Sequence, residues 1–240
     1  MKQRELTDDQ ISVLDGLGYV RPGTAYTYDG LPENFKHFLQ LQNAEKALML
    51  LAIPGTYICG GAVRAYHNWQ ANADDAEVRD VDMYFVNRPA LDIAANMLKL
   101  SGLTEVANTE RAVTFIYGDK PAIQLIKFVY GTIEEVLNEF DYTIVKAGAT
   151  LTMMVKHTDY GKDLKDRVLH YYGSRLPMAS MSRAIKYARY GYKLPAKDMV
   201  AVLMDINRTV DFSNPLSVTY HVEAFDPMNY EVDAVGELCF

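Results

Sequence analysis

The stretch GGAVRAYHNWQANADDAEVRDVDMYF, Gly60–Phe85, decides how the chain is read. It joins a glycine pair, Gly60 and Gly61, to two aspartates one residue apart, Asp80 and Asp82. TYIC, just upstream, reads as a buried strand that breaks at the glycines. AVRAYHNWQ then reads as the opening of a helix, ANADDAE as an acidic loop and RDVDMYFV as a second strand. Side chains alternate faces along a strand, so Asp80, Asp82 and Tyr84 share one face while Val81, Met83 and Phe85 share the other. The second set is apolar and is expected in the core. The two carboxylates stand about 7 Å apart, at roughly 3.3 Å per residue, so their oxygens can converge on one hard divalent cation. Mg²⁺ takes such ligands, with substrate phosphates completing its shell. Where the strand gives way to the helix, Gly60 and Gly61 offer bare backbone N–H groups and the positive end of the helix dipole to a phosphate. Arg64, in the first turn, can add a charge. The same residues also make an ordinary tight turn with a surface arginine, followed by a strand carrying solvated acids.

Working outward, LTDDQISVLDGLG predicts a short helix near residues 8 to 17, with Thr7 as its cap, Gln10 three residues on and Gly18 as its stop. ENFKHFLQLQNAEKALMLLA repeats Phe35, Phe38, Leu39, Leu48 and Leu51 at helical spacing and ends before Pro54. Downstream, ALDIAANMLKLSG and TIEEVLNEF read as helices and PAIQLIKFVYG as a strand. DYTIVKAGATLTMMV reads as a strand or a pair of strands, and from about residue 160 the pattern is helical. Helices alternating with strands, then helices alone, predict an α/β or α+β sheet domain with a helical appendage. The expected divisions are 1–50, N-terminal helices packing on the sheet domain; 51–158, the sheet domain; 159–225, the helical region; and 226–240, a loosely docked tail of acids without a basic residue.

With 240 residues, 49% hydrophobic and 23% charged, the chain is long enough for a real core in one or two domains. No apolar run reaches the roughly 18 residues of a membrane span, and MKQRELTDDQ lacks the apolar segment of a secretion signal, so a cytoplasmic protein without a membrane partner is expected. Cys59 and Cys239 are too few for a disulfide framework and are expected to be reduced. The net charge of −7 argues against nucleic-acid binding over the whole surface. From Tyr160 to Lys197, however, nine Lys and Arg stand against two acids, which leaves this segment at +7 and the remainder at −14. Such a segment can hold a polyanion locally, or can be a solvated charged face.

Taken in order, four blocks resemble a known family. YICGGAVRAYHNW followed by RDVDMYF is similar to the signature of the nucleotidyltransferase superfamily to which DNA polymerase β belongs. Its nearest likeness is to the bacterial-type tRNA nucleotidyltransferase and poly(A) polymerase branch, whose head carries Gly-Gly-x-Val-Arg-Asp and then Asp-x-Asp. FDYTIVKAG resembles that branch's Asp-Phe-Thr-Ile-Asn segment, DYGKDLKDRVLHYYG its Gly-x-x-Asp-Leu-Lys segment, and ASMSRAIKYARYGYKL the arginine-bearing helix of its neck.

The resemblance implies an α+β fold: a small mixed β-sheet nucleotidyltransferase head with flanking helices, followed by a helical neck. It implies a transferase in which an acceptor hydroxyl attacks the α-phosphate of an NTP, ATP or CTP, with loss of pyrophosphate. Asp80 and Asp82 would be the catalytic carboxylates and hold Mg²⁺, or Mn²⁺. Gly60 and Gly61 would cradle phosphate with help from Arg64. Asp141 and Thr143, on one face of their strand, would approach the sugar, and Arg183, Lys186 or Arg189 would face the triphosphate or base. The acceptor it implies is an RNA 3′ end, especially that of tRNA. A protein side chain, a small molecule, or nucleotide or RNA binding without catalysis are the alternatives. The chain departs from the pattern at Ala65, in place of the aspartate after the arginine, and at Glu139 and Phe140, in place of two arginines. It departs again at Gln124, where many superfamily members carry a third acid. Glutamine serves neither as a charged ligand nor as a base.

The neck helix has its own pattern. At 100° per residue, Arg183, Lys186, Arg189, Tyr190 and Lys193 fall within about 120°, and Ala184, Ile185, Tyr187, Ala188 and Tyr192 lie opposite. A cationic stripe with a tyrosine on it suits phosphates and a stacked base. Tyr160, Tyr171, Tyr172 and Tyr187 are expected to be packing residues. His37, His67, His157, His170 and His221 show no metal-ligand spacing.

Overall fold

A computed structural model describes residues 7–16, 25–222, 231–232 and 238–239. In chain order the elements are α1 (Asp8–Gly16), β1 (Tyr26–Gly30), α2 (Glu33–Leu41), α3 (Glu45–Leu50), β2 (Thr56–Cys59), α4 (Gly61–Gln70), β3 (Asp80–Phe85), α5 (Arg88–Leu100), β4 (Thr104–Asn108), β5 (Ala112–Ile116) and β6 (Ala122–Tyr130). They continue with α6 (Ile133–Asn138), a 3₁₀ turn at Thr143–Val145, β7 (Ala147–Ala149), β8 (Met153–His157), α7 (Tyr160–Asp166), α8 (Pro177–Arg189), α9 (Ala196–Thr209), α10 (Pro215–Val222), β9 (Glu231–Val232) and β10 (Leu238–Cys239). The result is the expected α+β architecture. Two units share the chain: one comprises the described residues within Thr24–Phe140 and Ile144–Gly161, the other those within Met1–Gly23, Asp141–Thr143 and Lys162–Phe240.

The first unit is built on an eight-stranded sheet in the order β1-β8-β7-β2-β3-β6-β5-β4. Only the β3–β6 pairing is parallel within this sheet; its other pairings are antiparallel. Val81, Met83 and Phe85 of β3 are fully buried, as their alternation predicts, and Tyr84 on the other face is buried as well. Their cross-strand neighbours Ile58, Ile123 and Leu125 continue the apolar face, against which α4 and α5 pack, with α2 behind α4 and α3 behind α5. Phe35, Phe38 and Tyr66 form the centre of this layer, with Phe35 edge-on to Tyr66 at 5.1 Å. On the other face α6 lays Ile133, Val136 and Leu137 on Tyr57, Cys59, Tyr84 and Val155. A capping box at Thr132 and Glu135 starts α6. Its C-terminal carbonyls receive a buried cation, the Lys146 ammonium donating to Leu137 O at 2.8 Å.

The structure corrects several sequence expectations. The helix read through residues 33–52 is two, because Asn43 takes φ +57° and turns the chain between α2 and α3, a conformation asparagine tolerates better than most residues. The strand read from Asp141 is first a bridge and a 3₁₀ turn; only Ala147–Ala149 and Met153–His157 are strands. The β4–β5 hairpin and β1 were not foreseen. Of the segment expected to pack on the sheet as helices, β1 joins the sheet edge, whereas α1 packs on α9 in the second unit. The reciprocal Thr7–Gln10 bonds at the start of α1 are as expected, while Gly18 lies outside the described residues. So does most of the 226–240 tail, whose described parts form the β9–β10 pair. Among the described residues, no helix is long and apolar enough to cross a membrane.

His67 gives the first unit a pH dependence. Burial holds its imidazole below the ordinary value, with Nδ1 3.0 Å from Val63 O and 3.1 Å from the Tyr160 hydroxyl. Below about pH 6.5 the unfolded chain therefore binds the proton more readily than the folded one. The stabilisation is complete above that pH and is lost as pH falls through the window beneath it. Urea unfolding at pH 5.5 and 7.5 is expected to show a smaller acid loss in His67→Gln than in the wild type.

Candidate active site

β2 ends in a turn that only glycine can make. Gly60 adopts φ +74°, and a Cβ built there would lie 2.7 Å from Cε1 of Phe140. Its N–H is already committed, donating to Ala147 O at 2.9 Å. Gly60 thus shapes the turn without presenting an amide to a phosphate. Gly61, the first residue of α4, is exposed, and a Cβ there would meet nothing within 4 Å. The open backbone of this turn is therefore at Gly61, at the positive end of α4.

Asp80 and Asp82 project from β3 on the face opposite the apolar layer, Asp80 exposed and Asp82 half-buried. Next door, β2 runs antiparallel with Ile58 opposite Met83, which sets Cys59 beside Asp82. Burial, and secondarily the charge of Asp82, pushes the Cys59 thiol well up. The carboxylate thus lies near the residue that immediately precedes the glycine turn. Across β3 on the other side, Gln124 of β6 pairs with Asp82, and Thr114 of β5 pairs with Gln124. The acid face is consequently a row in which a neutral amide follows the aspartate. Tyr84 and Phe140, their rings 5.5 Å apart, close its inner end.

Two hard carboxylates on an open strand end fit a divalent cation of the Mg²⁺ type, although the third position of the row is an amide. Among the described residues, no group of three or more His, Cys, Asp and Glu could hold a metal ion.

The other expected site residues are placed differently. Arg64 is buried, its guanidinium paired with Asp75 rather than exposed at the turn. Asp141 and Thr143 lie in the second unit and are 3% and 0% exposed. The Asp141 carboxylate accepts bonds from Arg183 Nε and Nη2, both at 2.7 Å, and Thr143 donates its hydroxyl to Asp163 at 2.6 Å. Neither is the open strand residue that was expected. Burial works against the Arg183 charge, but Asp141 outweighs it and holds the guanidinium above its ordinary value.

On α8, Lys186 is half-buried and Arg189 exposed, while Ala184 and Tyr187 pack inward. The helix stops at Arg189, short of Lys193. Gly191 at φ +82° closes a C-terminal turn in which the N–H groups of Gly191 and Tyr192 donate to the carbonyls of Ala188 and Tyr187. Tyr160, Tyr171 and Tyr187 are packing residues, as expected.

Sequence reasoning missed Asp75 and Phe140 as structural parts of the site. It also missed the second unit's buried acids: Asp198, which accepts from Tyr171 N–H at 2.8 Å, and Asp205, which accepts from the Tyr171 hydroxyl at 2.8 Å. Their partners are distant in sequence, and no local spacing announces them.

The fold is shared with solved structures. The Thermotoga maritima CCA-adding enzyme complexed with tRNA matches with a TM-score of 0.58 at 15% identity, over 84% of this chain and 52% of that one. A CCA-adding enzyme with ATP matches with 0.61, and one with CTP with 0.58, both at 14% identity over 84% of this chain and 53% of theirs. The chain thus spans about half the length of the solved proteins it matches. At these identities the likeness is one of fold. No curated protein matches the chain. The model of one protein family, described as Gabija anti-defense 2, matches residues 30–167, which include the whole glycine turn and both aspartates. Since that match covers more than half of its length, the chain belongs to the Gabija anti-defense 2 family.

Proposed function

We propose that this protein is a nucleotidyltransferase that acts against the Gabija defense, transferring a nucleotide from ATP or CTP to an acceptor hydroxyl. The observation that carries the proposal is the adjacency on one sheet face of Asp80 and Asp82 with the turn that opens α4 at Gly61. Gly61 and the first-turn amides hold the phosphates. Asp80 and Asp82 hold Mg²⁺ or Mn²⁺, which when bound stabilises charge on the phosphate oxygens. The acceptor oxygen forms a bond to the α-phosphorus, the bond to pyrophosphate breaks, and the hydroxyl proton leaves to solvent. Lys186 and Arg189 give α8 a basic face suited to a polyanionic acceptor.

The leading acceptor is an RNA 3′ end, tRNA in particular. It is supported by the basic face of α8 and by the fold shared with a CCA-adding enzyme complexed with tRNA. The family description favours a second reading, in which the acceptor is a component of the Gabija system itself.

One experiment separates the readings. The purified protein is incubated with each α-labelled NTP, Mg²⁺ or Mn²⁺, total RNA and an extract containing the Gabija components, and RNA and protein are then resolved separately. Label on RNA is the expected result, and label on a Gabija protein establishes the second reading. NTP binding with no label on any acceptor would overturn transfer and leave a nucleotide-binding protein, the role that Gln124 in place of an acid would suit.

A further inference from the structure

The loop from residue 71 to 79 joins α4 to β3 and so delivers Asp80 to the sheet. Backbone bonds hold both its ends, Asn72 N–H donating to Trp69 O at 3.1 Å and Arg79 O accepting from Ala122 N–H at 3.3 Å. Ala73 N–H donates to Asn68 O at 2.9 Å, and Val78 N–H donates to Gln42 Oε1 at 3.1 Å. Between them, the carboxylate of Asp75 pairs with Arg64 and its carbonyl accepts from Asn68 Nδ2 at 3.4 Å. Asp75 and Val78 are the buried residues of this loop; Asp74, Glu77 and Arg79 are exposed.

We propose that Arg64 is a positioning residue: its buried pairing with Asp75 fixes the loop and thereby sets the carboxylate of Asp80, five residues on. The proposal rests on the reading of Asp80 and Asp82 as the transfer carboxylates. A cation that receives an incoming triphosphate must reach solvent, whereas Arg64 is 7% exposed and its partner Asp75 5%. Each of these two charges, withdrawn from water, has the other as a counter-charge, so removing either is costly to the one that stays buried. The acidic loop therefore serves the site through its one buried acid, while the exposed Glu77 pairs with Arg79 at the surface.

The test is the series Arg64→Gln, Asp75→Asn and their double, assayed for transfer with NTP varied. Loss of a residue that orients a metal-binding carboxylate is expected to lower kcat by about 10- to 100-fold, with KM within about twofold of wild type. The double variant is expected to be no worse than the weaker single, since both remove one interaction. If Arg64→Gln raises KM tenfold or more while Asp75→Asn behaves as wild type, Arg64 contacts the nucleotide directly and the proposal falls.

Leaving one charge unpaired can unfold the chain, so the neutral pair Arg64→Met/Asp75→Leu accompanies the series. It is expected to melt cooperatively and still show the kcat defect; wild-type kcat in that folded pair would overturn the proposal. Amide hydrogen exchange supplies a readout independent of activity. Residues 73–82 are expected to exchange at least about tenfold faster in each single variant while β7 and β8 keep their protection, the behaviour of a local opening. Unchanged exchange in that segment counts against the proposal. A wild-type chain that transfers nothing counts against nucleotidyl transfer alone, and the exchange arm still decides whether the pair fixes the loop.

Discussion

Asp80→Ala/Asp82→Ala is expected to lose nucleotide transfer almost entirely while retaining the fold. Both side chains lie on the face of β3 opposite the apolar layer that Val81, Met83 and Phe85 form, Asp80 exposed and Asp82 half-buried. If they hold the cation that stabilises developing charge, they support several kcal/mol of barrier reduction. At about 1.4 kcal/mol per tenfold, that is a loss of about three orders of magnitude in rate. Transfer of labelled nucleotide, read against a thermal melt of the same variant, measures both halves of the statement. A double variant that melts as wild type and transfers at the wild-type rate would remove the carboxylates from the mechanism.

The glycine pair gives the second large effect, and its two members are expected to fail in different ways. Gly60→Ala must hold an alanine at φ +74° and seat its methyl against a ring that Tyr84 packs from the side. Backbone strain and overpacking each cost about 1–3 kcal/mol, so a loss of roughly 2–6 kcal/mol is expected. Gly61→Ala meets nothing within 4 Å and sits at a helical position, where alanine is intrinsically better than glycine by up to about 1 kcal/mol. It should leave stability unchanged or slightly raised. Its methyl nevertheless stands at the exposed helix start, so NTP affinity should fall. Urea unfolding and NTP titration of the two variants distinguish a turn glycine from a ligand glycine; equal stabilities would refute the assignment.

Much of the first unit was legible in the sequence because its signals are local. The alternation of Asp80 and Asp82 with Val81 and Met83 and the break of β2 at two glycines each lie within a few residues of sequence. The β4–β5 hairpin was not legible because β4 is an edge strand with most of its side chains in solvent, so it lacks a period-2 apolar pattern. The extent of α8 was misjudged because hydrophobic phase continues smoothly past Arg189, whereas the stop is a backbone event at Gly191. Arg64 and Asp141 looked like site residues because family spacing marks the residue type but not its burial. Their partners, Asp75 and Arg183, are 11 and 42 residues away. Nothing in the spacing of residues names the Gabija system; that came from the family match alone.

The interleaving of the two units bears on how this gene can be shortened or joined to others. The chain leaves the first unit at Asp141, returns at Ile144 and departs again at Lys162. No single cut therefore yields two whole modules. A stop codon after residue 161 would leave Asp141 and Thr143 in the product but remove Arg183 and Asp163, stripping a carboxylate of its counter-ion and a hydroxyl of its acceptor. The sheet unit is thus not a portable cassette: recombination that keeps the segment through residue 161 must carry the following helices with it.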